Sequence, residues 1–189
     1  MGWVYKAQGK TSEAGKAFRR GISLNPRKTG AYIGLGHIEQ EQGRAPEAER
    51  AFREAVKITP QAYDAYIALG WLYKSQGKSS EAAEAFKKSL DCTPGNGEAY
   101  VGLGHIFREQ GNVTEAKKSF SRALAINPGN DAAYFGWGQI CKDEGKQEEA
   151  LEAFKKAASI NPYNVGACFE LGWMRKVGKT VFLTAKTAS

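Results

Sequence analysis

YDAYIALGWLYKSQGKSSEAAEAFKKSLDCTP, residues Tyr63 to Pro94, is the unit from which this chain is built, because its landmark residues recur at a fixed spacing of 34. Gly70 has counterparts at Gly2, Gly36, Gly104, Gly138 and Gly172, and Gly77 at Gly9, Gly43, Gly111 and Gly145. Ala82 returns as Ala14, Ala48, Ala116 and Ala150, Phe86 as Phe18, Phe52, Phe120 and Phe154, and Pro94 as Pro26, Pro60, Pro128 and Pro162. No insertion disturbs the register, so this is a repeat architecture rather than a coincidence of composition.

Each unit reads as two helices. Tyr66, Leu69, Gly70 and Tyr73 fall at i, i+3, i+4 and i+7, one face of a first helix, and Gly77 supplies a turn. Ala82, Ala85, Phe86, Ser89 and Leu90 repeat that spacing in a second helix, expected to start near Ser79 or Ser80 and to stop before Pro94. Glu81 suits the positive end of its dipole, and Lys87 and Lys88 are expected toward the far end. Gly70 and Ala82 are small enough for the two helices to approach closely, leaving Phe86 to fill the space between them and the next unit. One pair cannot bury such a face, whereas stacked pairs bury it as a continuous ribbon.

With Tyr66, Leu69-Gly70, Tyr73, Ala82, Phe86, Ser89 and Pro94 at these offsets, the chain resembles the tetratricopeptide repeat (TPR) proteins. The resemblance implies an all-α fold, a right-handed superhelical solenoid of helix-turn-helix pairs. It carries little about function, because such solenoids serve unrelated partners.

Worked outward from the unit, the solenoid is expected over residues 1–177. It comprises a partial repeat at 1–28, full repeats at 29–62, 63–96, 97–130 and 131–164, and a partial repeat at 165–177. A non-repeat tail at 178–189 follows, with the apolar run Val181-Phe182-Leu183 outside the scheme. Solenoid ends expose core unless a polar helix caps them, and no capping pattern is visible at either end. The expectation is therefore a fragment of a longer repeat protein, or a chain that self-associates through uncapped ends.

The 189 residues carry a net charge of +7. Many of the bases are paired on second helices, at Arg19-Arg20, Lys87-Lys88, Lys117-Lys118 and Lys155-Lys156, interleaved with Glu13, Glu47, Glu81, Glu115 and Glu149. That is the pattern of a solvated outer face, and it argues against a nucleic-acid patch. No apolar run is long enough to span a bilayer and no signal or transit-like start is present, so a cytoplasmic, membrane-free protein is expected. Cys92, Cys141 and Cys168 lack metal-ligand spacing; Cys141 and Cys168 stand where other copies carry aromatic or apolar residues and read as small core residues.

The resemblance implies that one face of the first helices lines a concave groove. Its first row holds Ile33, Ile67, Val101, Phe135 and Phe169, which also suit packing between repeats. The second holds Trp3, His37, Trp71, His105, Gln139 and Trp173, and the third holds Lys6, Gln40, Lys74, Arg108, Lys142 and Lys176. An apolar, an aromatic and a basic row together suit an extended or helical segment of another protein with hydrophobic anchors and acidic groups. The asparagine of the chaperone-binding clamp is missing, since His37, Trp71 and His105 stand there. The asparagine ladder of O-linked N-acetylglucosamine transferases is missing too, replaced by Gly34, Ala68, Gly102 and Gly136.

Catalysis finds no support. His37 and His105 stand two repeats apart with no nucleophile and base beside them. The stretch Gly172 to Thr180 places five residues between its glycines, where a phosphate-binding loop needs four and a preceding strand. The expected protein is thus a scaffold or adaptor with no enzymatic activity, cofactor or metal. The alternatives are the docking or regulatory array of a larger enzyme such as a glycosyltransferase or peptidase, and binding of RNA or another anionic surface by the basic faces.

Overall fold

The computed structural model describes the backbone of residues 1–187 and the side chains of residues 1–176. The expected non-repeat tail at 178–189 therefore has its side chains, Val181-Phe182-Leu183 included, outside the described residues. The helices are α1 (Gly2–Ala7), α2 (Thr11–Leu24), α3 (Thr29–Glu41), α4 (Ala45–Ile58), α5 (Tyr63–Ser75), α6 (Ser79–Cys92), α7 (Gly97–Glu109), α8 (Val113–Ile126), α9 (Asp131–Asp143), α10 (Gln147–Ile160) and α11 (Val165–Thr187). The chain divides into two units, Met1–Gly102 and Leu103–Ser189.

Turn chemistry explains the breaks. Gly77 adopts φ +74°, which a side chain would resist, and its four counterparts do the same. Beyond α6, Thr93 is already off the helical conformation, and Pro94 lies just past it. Lys87 and Lys88 are not in the last turn of α6; Lys88 instead pairs with Glu84 one turn back, at 2.7 Å. The expected cation–dipole contact is therefore an i,i+4 ion pair.

In the first unit α3 packs on α4, α5 on α6, and each second helix also packs on the first helix that follows, α2 on α3 and α4 on α5. In the second unit α9 packs on α10, α8 on α9 and α10 on α11. The first helices are the inner ones. On α5, Ala65, Ile67, Ala68, Leu69, Gly70, Leu72 and Tyr73 are all buried, far more than the single face the periodicity predicts, because α4, α6 and α3 contact it on different sides. Second helices keep one buried stripe, Ala82, Ala85, Phe86 and Ser89 on α6.

Phe52, Phe86, Phe120 and Phe154 are fully buried and head the core. Phe86 is wedged between two helix backbones. A Cβ on Gly70 would stand 2.6 Å from its ring, and one on Gly102 2.4 Å from it. Phe120 lies in the same way between Gly104 and Gly136. Gly34, Gly102 and Gly136, noted in the sequence only for lacking an asparagine ladder, thus form the second wall of the Phe18, Phe86 and Phe120 slots.

Among the described residues one charged side chain is buried in the core. Glu39 is buried where other copies carry Tyr5, Tyr73, Phe107 and Cys141. Arg19 from α2 donates to its carboxylate at 2.6 Å, and Arg44 donates to the other oxygen. One repeat on, Arg53 donates to the Tyr73 hydroxyl at 3.0 Å, and that hydroxyl donates to Glu49. An arginine at equivalent places thus ties a second helix to the polar tip of the next first helix, so the buried acid is paired rather than orphaned.

Candidate functional site

In the first unit α1, α3, α5 and the start of α7 present a groove of about 640 Å³ lined by Trp3, Gly30, Ile33, His37, Gln40, Asp64, Ile67, Ala68, Trp71 and Glu98. Of the residues expected to line a binding face, Trp3, Ile33, His37, Gln40, Ile67 and Trp71 are therefore brought together. Asp64 and Glu98 were not foreseen. They sit in the first turns of α5 and α7, 34 residues apart, and the signal available was two acids at one repeat position. Glu98 accepts a hydrogen bond from the Trp71 indole N–H at 2.9 Å, which orients that ring.

The apolar row is uneven. Ile67 and Val101 are buried, so their side chains serve packing and present little surface, whereas Ile33 and Phe135 are half-buried. Phe169 on α11 is 70% exposed. Cys168 beside it is exposed, contrary to its reading as a core residue, while Cys141 is buried as expected. Among the described residues α11 packs on α10 and meets α9 through Phe135 at Gly166 and Lys142 at Glu170, and Cys168 and Phe169 stand outside those contacts.

The aromatic row leans on the wedge phenylalanines. Trp3 on Phe18, His37 on Phe52, Trp71 on Phe86 and His105 on Phe120 each stand edge to face with ring centroids 5.2 Å apart. These residues are half structural, since one ring edge is committed to the core; in Trp3, His37 and Trp71 the remainder faces the groove. Burial, aided by nearby Lys6, pushes the His37 imidazole below its usual range, so it is neutral near pH 7. A depressed folded-state value means that the unfolded chain binds the proton more readily. His37 then contributes stability that is complete above its unfolded value and is lost as pH falls below it. The expected result is a denaturation midpoint that drops between about pH 7.5 and 5.5, and drops less in His37→Gln. Urea titrations at both pH values check this.

The basic row is not an open line of ammonium groups. Lys6 pairs with Glu41 at 2.7 Å, Arg108 with Asp143 at 3.3 Å, and Lys142 with Glu170 at 2.7 Å while also lying 4.8 Å from the Trp173 ring. Acids on neighbouring first helices answer these three bases. Lys74 is half-buried and Lys176 exposed. In the second unit two buried polar atoms on these rows, Arg108 Nε and Gln139 Oε1, have no hydrogen-bond partner among the described residues. Trp173 is 44% exposed.

Among the described residues no three His, Cys, Asp or Glu side chains are grouped to hold a metal, and no helix is long and apolar enough to cross a membrane.

Helix pairs locked by a shared aromatic wedge, with first helices presenting a polar-aromatic face, define a tandem helical-repeat protein. The tetratricopeptide repeat model matches residues 1–63, 33–97 and 101–165, and the chain belongs to that family. The fold agrees with solved solenoids of the same kind. A thermophilic TPR protein of Thermus thermophilus superposes with a TM-score of 0.76 at 20% identity, covering 92% of this chain and 94% of that one. MamA does so with a TM-score of 0.69 at 22% identity, covering 86% and 95%. YrrB, described as a TPR protein with an unusual peptide-binding site, gives 0.64 at 20% identity, covering 89% and 87%. At these identities the likeness shows the fold alone. A comparison with curated proteins finds no match.

Proposed function

We propose that this chain is a non-enzymatic interaction scaffold that holds a segment of another protein, extended or helical, along the first-helix face. The observation that carries the reading is the groove of the first unit, where Trp3, Ile33, His37 and Trp71 share a preformed concavity of about 640 Å³. Large aromatic surfaces held by a rigid core are the usual energetic anchors of interfaces, and a groove that need not reorganise binds with less entropic loss. The unpartnered Arg108 Nε and Gln139 Oε1 fit the same use of that face in the second unit. Family membership supports a protein partner, because tetratricopeptide repeats are interaction scaffolds.

The test is direct. Random dodecapeptides displayed on phage are selected on the whole chain, and a selected peptide is titrated against wild type and Trp71→Ala. Loss of the central anchor is expected to weaken binding by about tenfold or more. Far-UV circular dichroism confirms that the variant is still helical. Equal affinity for both proteins would move the binding site off this groove.

A further inference from the structure

We infer that the segment taken by the first unit's groove carries a lysine or arginine beside its apolar anchors. This rests on the groove reading above and names the partner's chemistry. The charged residues that line the groove are both acids, Asp64 and Glu98, and no lysine or arginine lines it. Both carboxylates are exposed, and neither forms an ion pair among the described residues. The two bases at the neighbouring repeat position of this unit stand outside that lining: Lys6 pairs with Glu41 at 2.7 Å, and Lys74 is half-buried on α5.

Geometry assigns the two acids to one ligand feature. They occupy the same place in successive repeats and both line the groove, and the corresponding residues Gly30, Ala132 and Gly166 carry no charge. One oxygen of Glu98 holds the Trp71 indole N–H, so carboxylate and ring are presented side by side. An anionic group next to an aromatic surface is the arrangement a guanidinium or ammonium seeks, through an ion pair on one side and the ring quadrupole on the other. A first-turn acid also suits a helix dipole. The dipole alone does not account for both acids lining a groove with aromatic walls, while α3, of the same repeat type, has no acid in its first turn. The imidazole of His37, neutral near pH 7, adds no opposing charge.

The chain's overall charge makes the inference discriminating. With a net charge of +7, unspecific attraction favours acidic peptides, so selection of basic ones runs against the global field and reports the local site.

The experiment sequences the phage-selected dodecapeptide pools from wild type, Trp71→Ala and the double variant Asp64→Asn/Glu98→Gln, at about 150 mM salt so that long-range attraction is screened. Glutamine at 98 still accepts the indole hydrogen bond, so the ring stays oriented. Wild type should enrich lysine or arginine next to large apolar residues. The double variant should keep the apolar anchors and lose the basic residue. For one synthetic peptide from the wild-type pool, Lys→Gln in the peptide should weaken binding about tenfold to wild type and less than about twofold to the double variant. Acidic or neutral pools on wild type, or basic enrichment that survives the double variant, overturn the inference while leaving the groove in place. A pool indifferent to Trp71→Ala overturns the groove and this inference together.

Discussion

Phe86→Ala is expected to cost the first unit about 3–5 kcal/mol, an effect in the top range for a single truncation. Phe86 is fully buried and touches both its own first helix at Gly70 and the next at Gly102, with Trp71 edge to face at 5.2 Å. Truncation therefore removes apolar contact on three sides. The walls are helix backbone at glycines, which have no side chains able to fold into the gap, so the cavity persists and the upper part of the range applies. Burial in a stacked array is shared between neighbours, so the loss weakens an interface as well as a repeat. Urea denaturation followed by far-UV circular dichroism measures it as a lowered midpoint. A midpoint close to wild type would mean that the slot closes, and that the wedge is not what locks the pair.

The second large effect comes from filling the slot instead of emptying it. Gly70→Val should destabilise by about 2–3 kcal/mol, because a Cβ there already meets the Phe86 ring at 2.6 Å and the branched side chain adds two methyl groups. The ring cannot retreat, since Gly102 closes the other side at a similarly tight distance. Gly172→Val supplies the control. It stands at the same repeat position, but nothing lies within 4 Å of a Cβ built there among the described residues. Its replacement should change stability by no more than about 0.5 kcal/mol, with a small gain in helix propensity offsetting other losses. Comparing the two midpoints separates crowding against an aromatic wedge from any general cost of losing a glycine. Similar losses in both variants would refute the wedge account.

The same physics decides what was legible beforehand. Gly70, Gly77, Ala82, Phe86 and Pro94 each do a local job, whether close approach, a left-handed turn, small packing, a wedge or a stop. Local jobs repeat with the sequence, so the helix order and the family followed from spacing. The first helices start at Thr29, Tyr63, Gly97, Asp131 and Val165, in step with that spacing. The face of the candidate groove was partly readable for the same reason: Ile33, His37, Gln40, Ile67 and Trp71 do meet in one concavity.

What the spacing could not show is anything that depends on a neighbour far along the chain. A row of bases at one repeat position looks open in sequence. In three dimensions Glu41, Asp143 and Glu170 reach Lys6, Arg108 and Lys142 from first helices, 28 or 35 residues later, so these three bases of the row are paired. Glu39 breaks a column of aromatic and apolar residues, and only the approach of Arg19 and Arg44 explains how a carboxylate is buried there. Asp64 and Glu98 read as ordinary helix-start acids until α5 and α7 place them on a groove wall beside Trp71. By itself the sequence determined the repeat, its helices, its turns and its family, because backbone preference and side-chain size act within a unit. Only the tertiary structure decided the charge and the open surface of the groove, because electrostatic pairing and burial are set by which units lie side by side.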